Sequence, residues 1–274
     1  MGRIDSSRST FVVAVNNQNI LRQNLLASPD LLAPHKHQIL VQENYSSAAC
    51  AYNAGLRDAL NDLVIFVHQD VYLTAGWLSR VEEGLRCLEA TDPGWGVAGC
   101  WGARATGELC GHIYSSGLGV LGNQFQAPKR VQTLDEIVLI FKKSTGLTFD
   151  NTLPHFHFYG TDVCLRAQSQ GRASYVIPAF CVHNTRQLVT LPQEFYECYR
   201  HVKKMWKDYM PIQTSCISIT CFDAAVHRRR LKDFVRAQLS RTQTPAERVD
   251  DPRLIVKELE FERVFDRNHV AQEL

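Results

Sequence analysis

The chain has nine cysteines, yet no two are spaced as C-x-x-C, which removes the usual signature of a structural zinc site. Their odd number also argues against a dense disulfide framework. An excess of one charge is missing too. Thirty Lys plus Arg stand against twenty-eight Asp plus Glu, a formal charge of +2, so nucleic acid is not an expected partner. No apolar stretch approaches the roughly 18 residues of a spanning helix, and the polar start Met1-Gly2-Arg3-Ile4-Asp5 lacks the apolar core of a signal peptide. A reducing cytoplasm is the compartment that fits.

What is present is a chain of 274 residues, 45% hydrophobic, long enough for one large core. Its most informative stretch is Leu63-Val64-Ile65-Phe66-Val67-His68-Gln69-Asp70, five apolar residues that deliver a carboxylate at their C-terminal end. Such a run reads as a buried strand, and ligands of open α/β sheets sit outside the carboxyl ends of strands. Phe11 to Val15 reads the same way and ends in Asn16-Asn17; Gln38 to Gln42 is a third strand. Between them, the helical pattern of Ile20, Leu21, Leu25 and Leu26 is expected to run until Pro29 and Pro34, and Ser46 or Ser47 to cap a helix over 48–60. Strands alternating with helices imply parallel pairing through right-handed crossovers.

Further on, Gly76 to Leu88 reads as a helix and Gly94 to Gly99 as a short strand. Seven glycines from Gly99 to Gly122 predict loops or hairpins rather than rigid core. Asp135-Glu136 interrupt an apolar run and are placed either at a ligand or at the cap of a helix holding Phe141. Thr161 to Gln170 is a helix ended by Gly171, Ala173 to Val182 a final strand ending at His183, and beyond Pro192 a helical stripe joins Phe195, Tyr199, Val202, Met205 and Trp206. Residues 227–241 form a basic amphipathic helix, with Arg228, Arg229, Arg230, Lys232, Arg236 and Arg241 around Leu231, Phe234, Val235 and Leu239. It fits a peripheral contact with an anionic membrane surface, and equally a solvated face above an ordinary core contact.

Asp70, Asp162 and His183 are the polar residues best placed for chemistry, each at a strand end or helix start. A carboxylate with an imidazole suits Mn2+ or Mg2+, and a second carboxylate suits a general base. Each has a plain structural alternative as well: a helix cap for Asp162, a satisfied backbone carbonyl for His183. His155 and His157 read as loop residues or as lining of a ligand pocket. Trp95, Trp101 and Tyr114 read as core or as aromatic surfaces on which a ligand ring could stack, and Cys50, Cys164 and Cys181 as small core fillers.

In order along residues 11–210, these segments resemble glycosyltransferase family 2, in particular a bacterial branch with His-Gln-Asp in place of Asp-x-Asp. The resemblance rests on Asn16-Asn17, on Tyr52-Asn53-Ala54-Gly55-Leu56, on Phe66 to Val71, on Phe158-Tyr159-Gly160-Thr161-Asp162 running to Arg166, and on Gly171, Pro178 and His183. It implies a GT-A (Rossmann-like) α/β fold, with a mostly parallel sheet flanked by helices over 1–210 and a helical extension over 211–274. The implied activity is inverting, metal-assisted transfer of a sugar from a nucleotide-diphosphate donor, UDP by family frequency, to a glycan or lipid-linked hydroxyl. Asp162 then matches the base and Asp70 the metal- and diphosphate-binding carboxylate, with His183 completing the metal shell. Asn16, Asn17, Glu43, Asn53, His68 and Gln69 fall at the donor. Two positions depart from the family pattern: His68 replaces an acid and Thr161 a glutamate, which leaves a non-catalytic nucleotide- or glycan-binding module as the alternative. A sugar-phosphate nucleotidyltransferase would carry a glycine-rich basic loop after the first strand, where residues 14–24 hold only Arg22 and no glycine.

Overall fold

A computed structural model describes residues 8–32, 37–186, 190–239 and 248–259. Strands β1 (Thr10–Val15), β2 (Gln38–Glu43) and β3 (Leu63–His68) are parallel, in the order β2-β1-β3, with helices α1 (Gln18–Gln23) and α2 (Ala48–Asp58) as crossovers. The apolar run is the reason β3 is central: Val64 to Val67 have no exposed surface. Asn17 caps α1 through its side chain, and Ser47 caps α2. Helix α1 is shorter than its apolar pattern predicts. Asn24 leaves helical geometry and its amide turns back to the Ile20 carbonyl, so Leu25–Ala27 and Pro29–Leu31 are 3-10 turns instead. Gly55 lets α2 lie directly on β1, since a Cβ there would stand 2.2 Å from Val12 Cγ1.

Past Asp70 come β4 (Val71–Leu73), α3 (Trp77–Thr91) and β5 (Val97–Gly99). Of the two readings of the glycine-rich stretch that follows, hairpins hold: β6 (Trp101–Ala103) pairs antiparallel with β7 (Leu109–Ser115), and β7 with β8 (Gly119–Gly122). Its glycines serve close backbone approach. A Cβ at Gly102 would meet the Thr133 carbonyl at 2.4 Å, and Gly111 has φ +133° against the Cys100 carbonyl. Strands β9 (Lys129–Val131), β10 (Thr133–Leu134) and β11 (Val138–Lys142) occupy the next segment, so Phe141 lies in a strand and not in a helix. Helix α4 (Tyr159–Ser169) follows, ending before Gly171 in the left-handed region.

The last predicted strand is two, β12 (Ser174–Val176) and β13 (Cys181–His183), in different sheets; Pro178, with no N–H to give, falls in the break. The main sheet runs β2-β1-β3-β11-β5-β12-β9, with β11 and β9 antiparallel to their neighbours and the rest in one direction. The second runs β10-β6-β7-β13-β4, with β8 beside β7. The chain passes from one sheet to the other at Asp70, between β3 and β4.

Helices α5 (Gln193–Met205), α6 (Ala224–Leu239) and α7 (Pro252–Glu258) complete the described chain. On α5, Phe195, Tyr199 and Val202 are buried as patterned, but Met205 is 47% exposed. Arg241 lies outside the described residues, and the side chains of Arg236 and Leu239 are likewise not described. Ile255 and Val256 of α7 pack on Tyr72, Phe180 and Val182, which fastens the C-terminal segment to β4 and β13. Cys164 and Cys181 are buried and Cys50 partly so, all as free thiols. No helix among the described residues is long and apolar enough to cross a membrane.

Candidate active site

The crossing between the sheets gathers three of the sequence candidates. His68 ends β3, Asp70 follows it, and His183 arrives because β13 pairs with β4 in a register that sets His183 opposite Val71. The Asn184 N–H donates to the Asp70 carbonyl at 2.9 Å and ties the two ends together. One ligating atom from each of His68, Asp70 and His183 lies within 4.8 Å of the others. His183 Nε2 is 3.5 Å and His68 Nδ1 4.0 Å from Asp70 Oδ1.

The Tyr159 hydroxyl, at the start of α4, lies 2.6 Å from His68 Nε2 and 3.2 Å from the Glu136 carbonyl. With its proton given to that carbonyl it accepts from Nε2, and the His68 Nδ1 lone pair then faces Asp70, as an outer hydrogen bond commonly orients a ligating imidazole. Tyr159 itself is fixed in an aromatic cluster with Tyr52 and Phe149, which also holds Phe66 of β3.

Electrostatics divides the two imidazoles. Burial pushes His68 down to about 4 against the pull of Asp70, so it is neutral at pH 7. Burial also disfavours a charge on His183, but the Asp70 carboxylate outweighs it and raises this histidine above its ordinary value. For Asp70, burial alone would raise the carboxyl; His183, His68 and Arg248 together hold it well below the usual carboxylate range. Arg248, from the segment before α7, places Nη2 3.2 Å from Asp70 Oδ2. It is braced by the Asn184 carbonyl, which accepts from Nε at 2.7 Å, while the buried Asn184 amide exchanges two bonds with the Val249 backbone.

Gln69 joins the ends of β3 and β1, its carbonyl accepting from the backbone N–H of Asn16 and Asn17 and its amide donating to Asn16 Oδ1. Glu43, exposed at the end of β2, accepts from Gln18 at 2.7 Å. Asn53 stands apart from this rim: its amide is buried and engaged with both polar backbone atoms of Phe149. Asp162 is fully buried on the first turn of α4, with Oδ2 accepting from Arg166 Nε and Oδ1 from Trp206 Nε1, both at 2.8 Å. Burial raises its pKa, and Arg166 and Trp206 only partly offset that. Glu136 is pushed up to about 8 by burial and by neighbouring Asp135, although the backbone N–H groups of Phe158 and Gly160 favour its ionised form. Trp95 and Trp101 are core residues, Tyr114 is half-buried, His155 pairs with Glu197 at 2.8 Å, and His157 packs edge-on to Phe195.

A model of the Glycosyltransferase like family matches residues 10–209. The chain belongs to this family. Like other members of the glycosyltransferase family 2 type it has a GT-A fold. Its fold is similar to that of GalNAc-T7 in complex with UDP, GalNAc and Mn2+, with a TM-score of 0.51, 11% identity, and coverage of 93% of this chain and 57% of that one. A mannosyltransferase from Pyrobaculum calidifontis, in complex with GDP-Man and Mn2+, aligns with a TM-score of 0.45, 11% identity, and coverage of 86% and 70%. Among curated proteins, "ATP synthase subunits region ORF 6" of Fuscovulum blasticum is 28% identical over 158 residues, 54% of this chain and 61% of the relative. The chain thus spans less than two thirds of that relative's length.

Sequence reasoning places His68 at the donor, as a lost acid rather than a third ligating group, and sets Glu136 with Asp135 either at a ligand or at a helix cap. It assigns no role to Tyr159 or Arg248, which carry no local signal.

Proposed function

We propose that the chain transfers a sugar from a nucleotide-diphosphate donor to a hydroxyl of a glycan or lipid-linked acceptor, with inversion at the anomeric carbon. The observation that carries this is the His68, Asp70 and His183 cluster at the mouth of the sheet, where such folds bind nucleotides. Two imidazoles and a carboxylate, one imidazole already neutral and the carboxylate ionised at pH 7, fit a divalent cation. Two nitrogen donors favour Mn2+ over Mg2+. A bound divalent cation would supply Lewis-acid stabilisation of the departing diphosphate. Arg248 adds a second positive charge beside Asp70, and Asn16, Asn17, Gln69 and Glu43 line the strand ends where the nucleoside would lie. UDP is the donor nucleotide suggested by the resemblance.

Asp162 is the base in this reading. In the described conformation both of its oxygens are engaged, so accepting a proton from an acceptor hydroxyl requires release from Trp206. Glu136, held protonated at pH 7, is unsuited to that task. We assign the transferase unit to residues 1–210 and the supply of Arg248 to the extension 211–274. Nine free cysteines support a cytoplasmic site of action.

The sealed carboxylate of Asp162 favours a second reading, a binding module that holds nucleotide or glycan without turning it over. Release of UDP from UDP-sugars in the presence of Mn2+ separates the two. Asp162→Asn should abolish release while leaving UDP affinity within about threefold of wild type, since loss of a general base costs 10²-fold or more in rate. Equal release by wild type and Asp162→Asn would remove Asp162 from the chemistry, and binding without release in either protein would establish the module.

A further inference from the structure

Helix α6 has its amphipathicity reversed. A helix on a globular surface buries its apolar stripe, but the described residues α6 turns inward are Val226, Arg229 and Asp233, while Leu231, Phe234 and Val235 are 63%, 62% and 44% exposed. The inward carboxylate is what fastens the helix: Asp233 accepts from the Leu191 N–H, the Tyr196 hydroxyl and Arg229 Nε. Just ahead of the helix Phe222 is 81% exposed. At 3.6 residues per turn Leu231, Phe234 and Val235 fall on one outer face of α6 with no partner among the described residues, and Phe222 adds a fourth exposed apolar side chain at the helix start.

Cations surround them. Arg228, Arg230 and Lys232 are exposed, and none pairs with a carboxylate among the described residues. Between α5 and α6 lies a cleft of about 460 Å3 lined by Arg200, Lys203, Lys204, Lys207, His227 and Arg230. The acid in its lining, Asp223, is taken by Lys203 at 2.6 Å and by the Tyr199 hydroxyl. Arg230 lies over the Tyr196 ring and belongs to both the cleft and the outer face, so the two are continuous.

We propose that this surface docks the protein on an anionic bilayer, with Phe222, Leu231, Phe234 and Val235 entering the headgroup boundary and the rim and cleft cations meeting lipid phosphates. Charge selects this occupant. A second copy would set two basic rims against each other, and nucleic acid would leave the four apolar side chains in water, whereas an anionic lipid surface satisfies both features. The proposal is independent of the transferase reading and stands or falls separately from it.

The test is co-sedimentation of the full chain with phosphatidylcholine vesicles and with vesicles that also contain phosphatidylglycerol. Binding is expected only to the anionic vesicles and weakens as salt is raised. Substituting Arg228→Gln, Arg230→Gln and Lys232→Gln together should weaken it on the order of a hundredfold, at about fivefold per cation. The double change Leu231→Asp, Phe234→Asp should weaken it comparably. Both variants alter exposed positions, and circular dichroism of the triple glutamine variant checks that α6 persists. Absence of binding to anionic vesicles, or equal binding by all three proteins, overturns the proposal. So does a wild-type dimer that the Asp double variant converts to monomer without any vesicle binding, which would assign the face to a second copy.

Discussion

Arg248→Gln separates two effects of one cation. The guanidinium stands 3.2 Å from Asp70 Oδ2, so a divalent cation drawn to that carboxylate works against it. Arg248 is 26% exposed, which sets the ion pair nearer the ~1 kcal/mol of a surface pair than the 3–5 kcal/mol seen on breaking a buried one. Repulsion between the arginine and a divalent cation on the same carboxylate adds about another 1 kcal/mol in a partly solvated site. Mn2+ alone should then bind the variant roughly 10- to 30-fold more tightly, because 1.4 kcal/mol is tenfold. With a nucleoside diphosphate present the sign reverses. A charge-assisted contact to phosphate is lost, and affinity for UDP with Mn2+ falls about tenfold. The segment before α7 keeps its two bonds between Asn184 and Val249, so losing the Arg248 bond to the Asn184 carbonyl costs only about 1 kcal/mol of stability. Free Mn2+ measured by electron paramagnetic resonance gives the first quantity, and calorimetry with UDP the second. Equal Mn2+ affinity in the two proteins refutes the competition at Asp70.

Other consequences concern the scaffold around the cluster. Glu136 holds its proton to about pH 8, whereas an unfolded chain releases it near 4.5. Between those values the folded state carries the extra proton, so stability falls as pH rises and levels off above 8. Glu136→Gln should remove this slope, so that its stability relative to wild type rises by about 4 kcal/mol between pH 5 and 9 in urea titrations; an unchanged slope would show that Glu136 is not held neutral. Gly55→Ala forces a methyl to within 2.2 Å of Val12 Cγ1 and should cost about 1–3 kcal/mol by overpacking, seen as a lower melting temperature. An unshifted melt would mean that α2 does not rest on β1 as described.

Much of the strand-end cluster was legible because it is local. A buried apolar strand ending in a carboxylate is written in eight consecutive residues, and the strand at 11–15 shows a similar apolar run, while the part-exposed edge strand β2 keeps only Ile39, Leu40 and Val41. The position of His183 followed from its place at a strand end, although the intervening segment proved to be two strands in two sheets. What stayed hidden depends on distant pairing. Glycine reads as flexibility in a sequence, whereas Gly102 and Gly111 are required by backbones that come from elsewhere in the chain. The His68 substitution looked like a loss because the tyrosine that orients it is 91 residues away, and Arg248 reaches Asp70 across 178 residues. Asp162 shows the same limit from the other side. Its motif marks it as the proposed base, while its engagement with Trp206 depends on how α5 docks.

Calorimetry of the wild-type chain and Asp70→Ala with UDP, GDP and dTDP, each with and without Mn2+, tests most directly whether Asp70 holds a cation for a nucleotide diphosphate. Micromolar binding of one nucleotide that requires Mn2+ and disappears in Asp70→Ala is expected. Binding indifferent to Mn2+ and to Asp70→Ala, or no binding of any nucleotide, would contradict it.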